Sequence, residues 1–401
     1  MDKWLISVTA GLIQVHGIRK AKKLGFKVLA IDQDPNALGF KFSDIKIVSR
    51  LNEFNEIFKK ICNYNLNIVG AVSFCSEAGL KLCAKIRKEF NLPGEKENVY
   101  MNFINKGNQR KILKQNSFYY PEQWKVFQNQ KSLKRSIDEF KFPIIIKPTE
   151  SSGSRGVSKV FSLNDTNLAS SIKSAFNFAK NNEVIVETYM AGYECTVESF
   201  TDRGETHILA VTEKKKVMNS NGLIARELGT YNRDLKTYNK ICQLIKRAIH
   251  VLNYNNGPCH SEVIVMEDGN IGIVEIGARG GGFLVFNKFV PLVSGIDITE
   301  LTIQQSTGTS FKLDKVKNSA GILKFILPKK GKIKSIKGFE NLNKIDGLEG
   351  ETFVKENDAV NSVSSDGDRL GYILATGTTY SEAENLIETY QSLIKFDYYD
   401  H

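Results

Sequence analysis

Two glutamates flank an Asp-Gly pair in the stretch GPCHSEVIVMEDGNIGIVEIGARGGG, residues 257–282. Glu262 and Glu275 each sit among apolar residues, the pattern of a buried strand more than of a solvated face. Asp268-Gly269 predicts a two-residue hairpin turn. In that register Glu262 falls opposite Glu275, on a face shared with Ile264, Met266, Ile271 and Ile273. Two carboxylates with Cβ atoms about 5 Å apart repel each other. A shared proton or a bound cation would offset the repulsion. The expected cation is a hard divalent ion such as Mg2+, held by one or two carboxylates and completed by substrate phosphates. The plain alternative is an exposed face with both glutamates in water.

Two further stretches could bind phosphate and sugar. In FPIIIKPTESSGSRGVSKV, Lys147 ends an apolar strand, and Ser151, Ser152, Gly153, Ser154 and Gly156 form a small-residue loop. The backbone N–H groups of such a loop can approach phosphate closely, and the lysine adds a point charge. It is not a GxxxxGK[ST] loop before a helix, and alone it reads equally as a hairpin loop beside a snorkelling lysine. In VIVETYMAGYECTVE, Glu187 and Glu194 lie on either side of Gly192. They could accept hydrogen bonds from sugar hydroxyls or a base amine, and by themselves they would equally be surface charges.

The elements that must hold these stretches follow from the hydrophobic period. Residues 1–100 alternate strand and helix signals: WLISV, a helix ending on Gly25, FKVLAID, a helix from Glu53 to Cys62, then NIVGAVSF. This is a βαβ opening with a parallel sheet. A helix carrying Lys106 follows Pro93-Gly94. From Pro121 come short strands, a helix at Leu168–Lys180, and two strands joined by an Asp-Arg-Gly turn. The segment Lys214–Arg233 shows no period and reads as a mobile loop; Arg226 and Glu227 within it are candidates for substrate selection. A helix at Leu235–Leu252 leads into the glutamate hairpin. The last ninety residues read as mixed strands with a helix at Ser381–Ile394.

In order along the chain, INKGNQRK, FPIIIKP, SSGSRGV, ETYMAGYE and SEVIVMEDGNIGIVEIGAR resemble the motifs of the ATP-grasp superfamily, closest to its L-amino-acid ligase-like branch. The resemblance extends over nearly the whole chain. It implies an α/β, multi-domain fold: a Rossmann-like pre-ATP-grasp domain at 1–100, an ATP-grasp domain at 101–310 with a lid at about 121–189, and a C-terminal α/β subdomain at 311–401. It implies that Lys106 and Lys147 contact ATP phosphates under the loop Ser151–Gly156. Glu187, Tyr189 and Met190 would hold adenine, Glu194 the ribose, and Glu262 and Glu275 Mg2+ or Mn2+. Arg279 would stabilise the transferred phosphoryl and acyl oxygens. Many members carry ExNxR where this chain has Gly277, which leaves one metal or phosphate contact unassigned. The activity implied is ligation of a carboxylate to an amine through an acyl phosphate. Small-molecule substrates and a homodimer are the typical arrangement.

Composition bounds the rest. The chain has 401 residues, 41% hydrophobic, with a formal charge of +11. No run approaches the roughly 18 apolar residues of a membrane span. The start reads as a strand and not a signal peptide. Six scattered cysteines without a CxxC pair point to a reducing cytoplasm and against structural zinc. The basic charge lies in short lysine clusters, Lys214–Lys216 among them, without stacking aromatics, so it reads as solvated surface and not as a dedicated nucleic-acid site. A dehydrogenase is the first rival: Asp32 lies 21 residues beyond Gly11, but TAGLIQVHG lacks the three glycines of the dinucleotide fingerprint. Other rivals are a bicarbonate-using or purine-pathway ATP-grasp ligase and a non-catalytic nucleotide binder.

Overall fold

The runs WLISV, KVLAID, IKIV and IVGAV form β1 (Trp4–Val8), β2 (Lys27–Asp32), β3 (Ile45–Val48) and β4 (Ile68–Val72) of the computed structural model, which describes residues 1–219, 222–363 and 366–399. They pair in parallel in the order β3-β2-β1-β4. Helices cover both faces, so strand residues of either parity are buried. Ile6, Leu29 and Ile31 cluster with Ile57 and Ile61 of the helix Phe54–Cys62. Leu5, Val28 and Ala30 cluster with Ile18 and Ala21 of the helix Val15–Lys23. Asp32 accepts from the Ala10 and Asp34 amides at 2.8 and 3.0 Å. Its carboxylate therefore braces the first turn of the domain.

A four-stranded antiparallel sheet follows, built from β5 (Trp124–Phe127), β6 (Ile144–Pro148), β7 (Ser158–Val160) and β8 (Val184–Thr188) in the order β5-β8-β6-β7. The helix Leu168–Phe178 packs Ile172, Ala175 and Phe176 against its Ile144, Ile146 and Val160.

The remaining strands are β9 (Gly192–Asp202), β10 (Glu205–Asn219), β11 (Gly222–Thr230), β12 (Gly257–Met266), β13 (Ile271–Gly277), β14 (Ala320–Ile326), β15 (Gly331–Lys337), β16 (Leu348–Thr352), β17 (Ala359–Val360), β18 (Gly371–Gly377) and β19 (Lys395–Tyr398). Eight of them make one sheet, β13-β12-β9-β10-β11-β14-β18-β16, and β17-β15-β19 make a small one. The chain from β14 onward thus extends the central sheet, through Glu227↔Lys324 and its neighbours.

Two local expectations change. Lys214–Arg233 is mostly strand: β10 and β11 pair from Thr212↔Thr230 to Asn219↔Gly222, with residues 220 and 221 outside the described residues. The period is invisible in sequence because charged residues fall on both faces, among them Lys214 and Lys216 paired with Glu194 of β9 and Lys215 with Glu227 of β11. The glutamate hairpin also turns differently. The Met266 amide donates to the Asn270 carbonyl (2.9 Å) and the Gly269 amide to the Met266 carbonyl (2.9 Å), so Glu267–Gly269 is a three-residue loop with Gly269 at φ +77°. Near the loop the register is Val265↔Ile271 and Val263↔Ile273. A bulge that leaves Val274 unpaired then restores Glu262↔Glu275. Ile273 consequently faces the core, away from the glutamates.

Candidate active site

The face of the central sheet that carries the glutamates is a polar grid set by strand register. Glu198, His260 and Gly277 lie side by side across β9, β12 and β13. Thr212, Thr196, Glu262 and Glu275 make the next row, and Lys214 and Glu194 the one after. Alternation explains the grid: Cys195, Val197, Val263 and Val265 point the other way, into the core. Glu262 and Glu275 are cross-strand partners, and ammonium groups meet their charge. Lys214 pairs with Glu262 at 2.6 Å and also with Glu194, which Lys216 joins. Lys106 lies 3.0 Å from Glu275. Lys214 is thus an inward residue of the site and no solvated surface lysine. Burial disfavours its charge, but the two carboxylates outweigh that and raise its pKa. Burial likewise disfavours the Glu262 charge, yet Lys214 and His260 hold its carboxyl well below the usual range.

The helix Lys106–Gln115 positions the edge of this grid. Lys106, Gln109 and Arg110 are three and four residues apart, on one buried face. Gln109 brackets Ile276, donating to its carbonyl (2.8 Å) and accepting from its amide (3.0 Å). Arg110 donates to the carbonyl of the bulged Val274 at 2.7 Å. These contacts satisfy the open backbone groups of β13, which is the sheet's edge strand. Arg110 also reaches Glu187 at 2.6 Å, and the other Glu187 oxygen takes Lys147 at 2.6 Å. All three are almost fully buried. Burial alone would raise Glu187, but Arg110 and Lys147 hold it down at about 2. Burial lowers Lys147. Both Glu187 oxygens are thereby engaged by cations, one of them the lysine expected at phosphate.

The small-residue loop joins β6 to β7. Ser152, Gly153 and Ser154 are exposed, and Ser151 and Gly156 half-buried. Gly153 and Gly156 take φ of +67° and +74°, which suit glycine. Lys106 donates to the Ser151 carbonyl at 2.9 Å, so one ammonium touches both the loop and Glu275. Tyr189 and Met190 leave β8 half-buried, with Lys159 3.4 Å from the Tyr189 ring centroid. A Cβ on Gly272 would lie 2.1 Å from the Met190 sulfur, so Met190 rests on bare backbone of β13. Arg226 is exposed in the bulge of β11. Glu227 points to the chain's last third, 2.8 Å from Lys215 and 4.0 Å from Lys324.

Arg279 follows β13 and donates to the Gly280 carbonyl at 3.0 Å. Its Nε lies 3.8 Å from Glu77, which comes from the turn after β4. Glu77 is only 8% exposed, and its Oε1 has no hydrogen-bond partner. That oxygen lies 3.1 Å from where a Gly277 Cβ would be. The space above the missing side chain is therefore taken by a carboxylate from the parallel-sheet domain. Burial, then Glu275, pushes the Glu77 carboxyl up. On the other side of Gly277, His260 pairs through Nδ1 with the fully buried Glu198. Burial works against the imidazolium, but Glu198 outweighs it and lifts His260 to about 9.

Sequence reasoning missed Glu77, Gln109, Arg110, Glu198 and His260. A weak signal existed for two of them: His260 shares the parity of Glu262, and Arg110 lies one helical turn from Lys106. As a cation site, Glu262 and Glu275 offer hard oxygen donors with a buried third carboxylate nearby, a set that suits Mg2+. Among the described residues no group of three or more His, Cys, Asp or Glu could hold a metal by itself.

The ATP-grasp domain family matches residues 140–286, and the L-amino acid ligase C-terminal domain 2 family matches 324–399. D-alanine–D-alanine ligase of Flavobacterium psychrophilum is 38% identical over 71 residues, 18% of this chain and 20% of that one. Dapdiamide A synthase of Enterobacter agglomerans is 25% identical over 144 residues, 35% of this chain and 34% of that one. The matching stretches thus span about a fifth and a third of these two relatives. The crystal structure of L-amino acid ligase from Bacillus licheniformis superposes with a TM-score of 0.82 at 21% identity, covering 100% of this chain and 99% of that one, which shows the fold. Among the described residues no helix is long and apolar enough to cross a membrane.

Proposed function

We propose, from the match of residues 140–286 to the ATP-grasp domain family and of 324–399 to the L-amino acid ligase C-terminal domain 2 family, that the chain is an ATP- and Mg2+-dependent carboxylate–amine ligase. The observation that carries the reading is that Lys106 pairs with Glu275 and Lys214 with Glu262 of the cross-strand pair, while the same Lys106 donates to the Ser151 carbonyl of the loop Ser151–Gly156. Phosphoryl transfer needs positioning and charge neutralisation more than covalent help. In this reading Lys106 and Lys147 take the phosphate oxygens, and Glu187 serves the nucleotide by holding Lys147. The loop backbone closes over the phosphates. Tyr189 and Met190 face the base, and Glu194 the ribose once Lys214 and Lys216 yield it. Glu262 and Glu275 would hold Mg2+, which supplies charge neutralisation at the transferred phosphoryl group.

The substrate carboxylate attacks the γ-phosphorus of ATP, forming an acyl phosphate and releasing ADP. The amine nitrogen then attacks the acyl carbon, the C–O bond to phosphate breaks, and an amide and phosphate leave. Arg279 stabilises the charge on the acyl and phosphoryl oxygens. Arg226 and Glu227 are kept as secondary candidates for substrate contact. The test is a screen of amino-acid and amine pairs for ADP and phosphate release, with mass spectrometry of the products. A condensed amide formed one-to-one with ADP supports the reading. ADP release without any condensed product, or no turnover with any pair, contradicts it.

A further inference from the structure

Glu198 is fully buried on the site face of β9, 62 residues before its partner His260 in sequence, yet it touches no expected substrate group. Its two oxygens go to two different parts of the site. Oε1 pairs with His260 Nδ1. Oε2 accepts from the Gly281 amide at 3.2 Å, in the glycine turn immediately after Arg279. A Cβ on Gly281 would lie 2.7 Å from Glu198 Oε1, so the close approach needs glycine there. His260 in turn directs Nε2 toward Glu262, 3.6 Å from its Oε1. One buried carboxylate therefore ties the cation-binding strand β12 to the turn that carries the arginine. A buried charge with hydrogen bonds on both oxygens is fixed in place, and it fixes what it holds.

Resting on the function proposed above, we propose that Glu198 and His260 are positioning residues. Glu198 sets the imidazole and the Arg279 turn, and His260 Nε2 sets the orientation of Glu262 toward the divalent cation. Outer partners of this kind typically change metal affinity or activity about 10–100-fold when removed.

The two ring nitrogens give a discriminating pair of variants. His260→Gln retains a donor where Nε2 stands and loses the Glu198 contact. His260→Asn retains the Nδ1 contact and loses the reach to Glu262. The readouts are Mn2+ affinity in the presence of a non-hydrolysable ATP analogue, by electron paramagnetic resonance, and the Mg2+ concentration giving half-maximal turnover, with thermal melts of every variant. Expected results are Mn2+ binding within a few-fold of wild type for His260→Gln, and weakening of about 10–100-fold for His260→Asn and Glu198→Gln. If His260 only serves to satisfy the buried Glu198, the order of the two histidine variants reverses, and the proposal is overturned. It is also overturned if all three variants bind Mn2+ like wild type. Should Glu198→Gln fail to fold, the histidine pair decides alone. Wild type that binds no Mn2+ with nucleotide overturns the cation site itself, and the positioning role with it. Wild-type binding with unaltered variants overturns the positioning role alone.

Discussion

At the scale of single residues, the site is a set of charges that answer one another before any ligand arrives. Glu187 is the clearest case, because its carboxyl is held at about 2 by Arg110 and Lys147 against an ordinary 4.5. A carboxyl depressed on folding contributes stability above its unfolded pKa, and loses it as pH falls through the folded one. Urea melts between pH 6 and 2 should show wild-type stability falling across that window, with a shallower fall in Glu187→Gln. Equal slopes would contradict the pairing. The same variant leaves two buried cations short of a partner and should cost about 3–5 kcal/mol near neutral pH. Lys214 makes a different prediction, since it bridges Glu194 and Glu262 at the expected seat of the nucleotide. Lys214→Met should lower kcat by roughly 100-fold or more, as loss of a transition-state donor does, and should also lower the melting temperature, because Glu194 and Glu262 lose the cation between them. A variant with wild-type kcat would place Lys214 outside the chemistry.

At the scale of elements, the hairpin shows what a sequence can and cannot tell. Parity and the Asp-Gly pair pointed to two facing glutamates, and they do face each other. The path to that pairing was not legible. A three-residue loop shifts the register by one, and the bulge at Val274 shifts it back. Only the Arg110 hydrogen bond to the Val274 carbonyl, from a helix 164 residues earlier, shows what supports the bulge. Glu198 and Glu77 were illegible for the same reason: each acts on a partner brought near by tertiary packing, and neighbours in sequence say nothing of it. The β10–β11 hairpin hid because its charges alternate with charges. Met190 resting on Gly272 gives the element-scale prediction. Gly272→Ala places a methyl 2.1 Å from the Met190 sulfur and 3.0 Å from Tyr120 Cβ. It should raise the KM for ATP several-fold while kcat changes little. An unchanged KM would remove Met190 from the base-binding position.

At the scale of the whole molecule, the parallel-sheet domain does more than precede the catalytic sheet, because it delivers Glu77 into the space above Gly277. It also reaches the four-stranded antiparallel sheet's loop after β6, through Lys81 and Glu150 at 3.3 Å. Nucleotide bound between these parts should stabilise them together. At 100 times Kd a ligand that binds only the folded state adds about 2.7 kcal/mol, so ATP with Mg2+ should raise the melting temperature and slow proteolysis at Ser151–Gly156. No shift at saturating nucleotide would contradict a shared site. The sequence conveyed this architecture through its motif order, while the Glu77 contact needed the packed domains. The acyl phosphate is the central intermediate of the proposed reaction. The direct measurement uses an amino-acid pair selected by the release screen, with both oxygens of the activated carboxylate labelled with 18O. Mass spectrometry of the phosphate should find one labelled oxygen in each phosphate released, with ADP as the nucleotide product. Unlabelled phosphate, or AMP with labelled carboxyl oxygen, would contradict activation by γ-phosphoryl transfer.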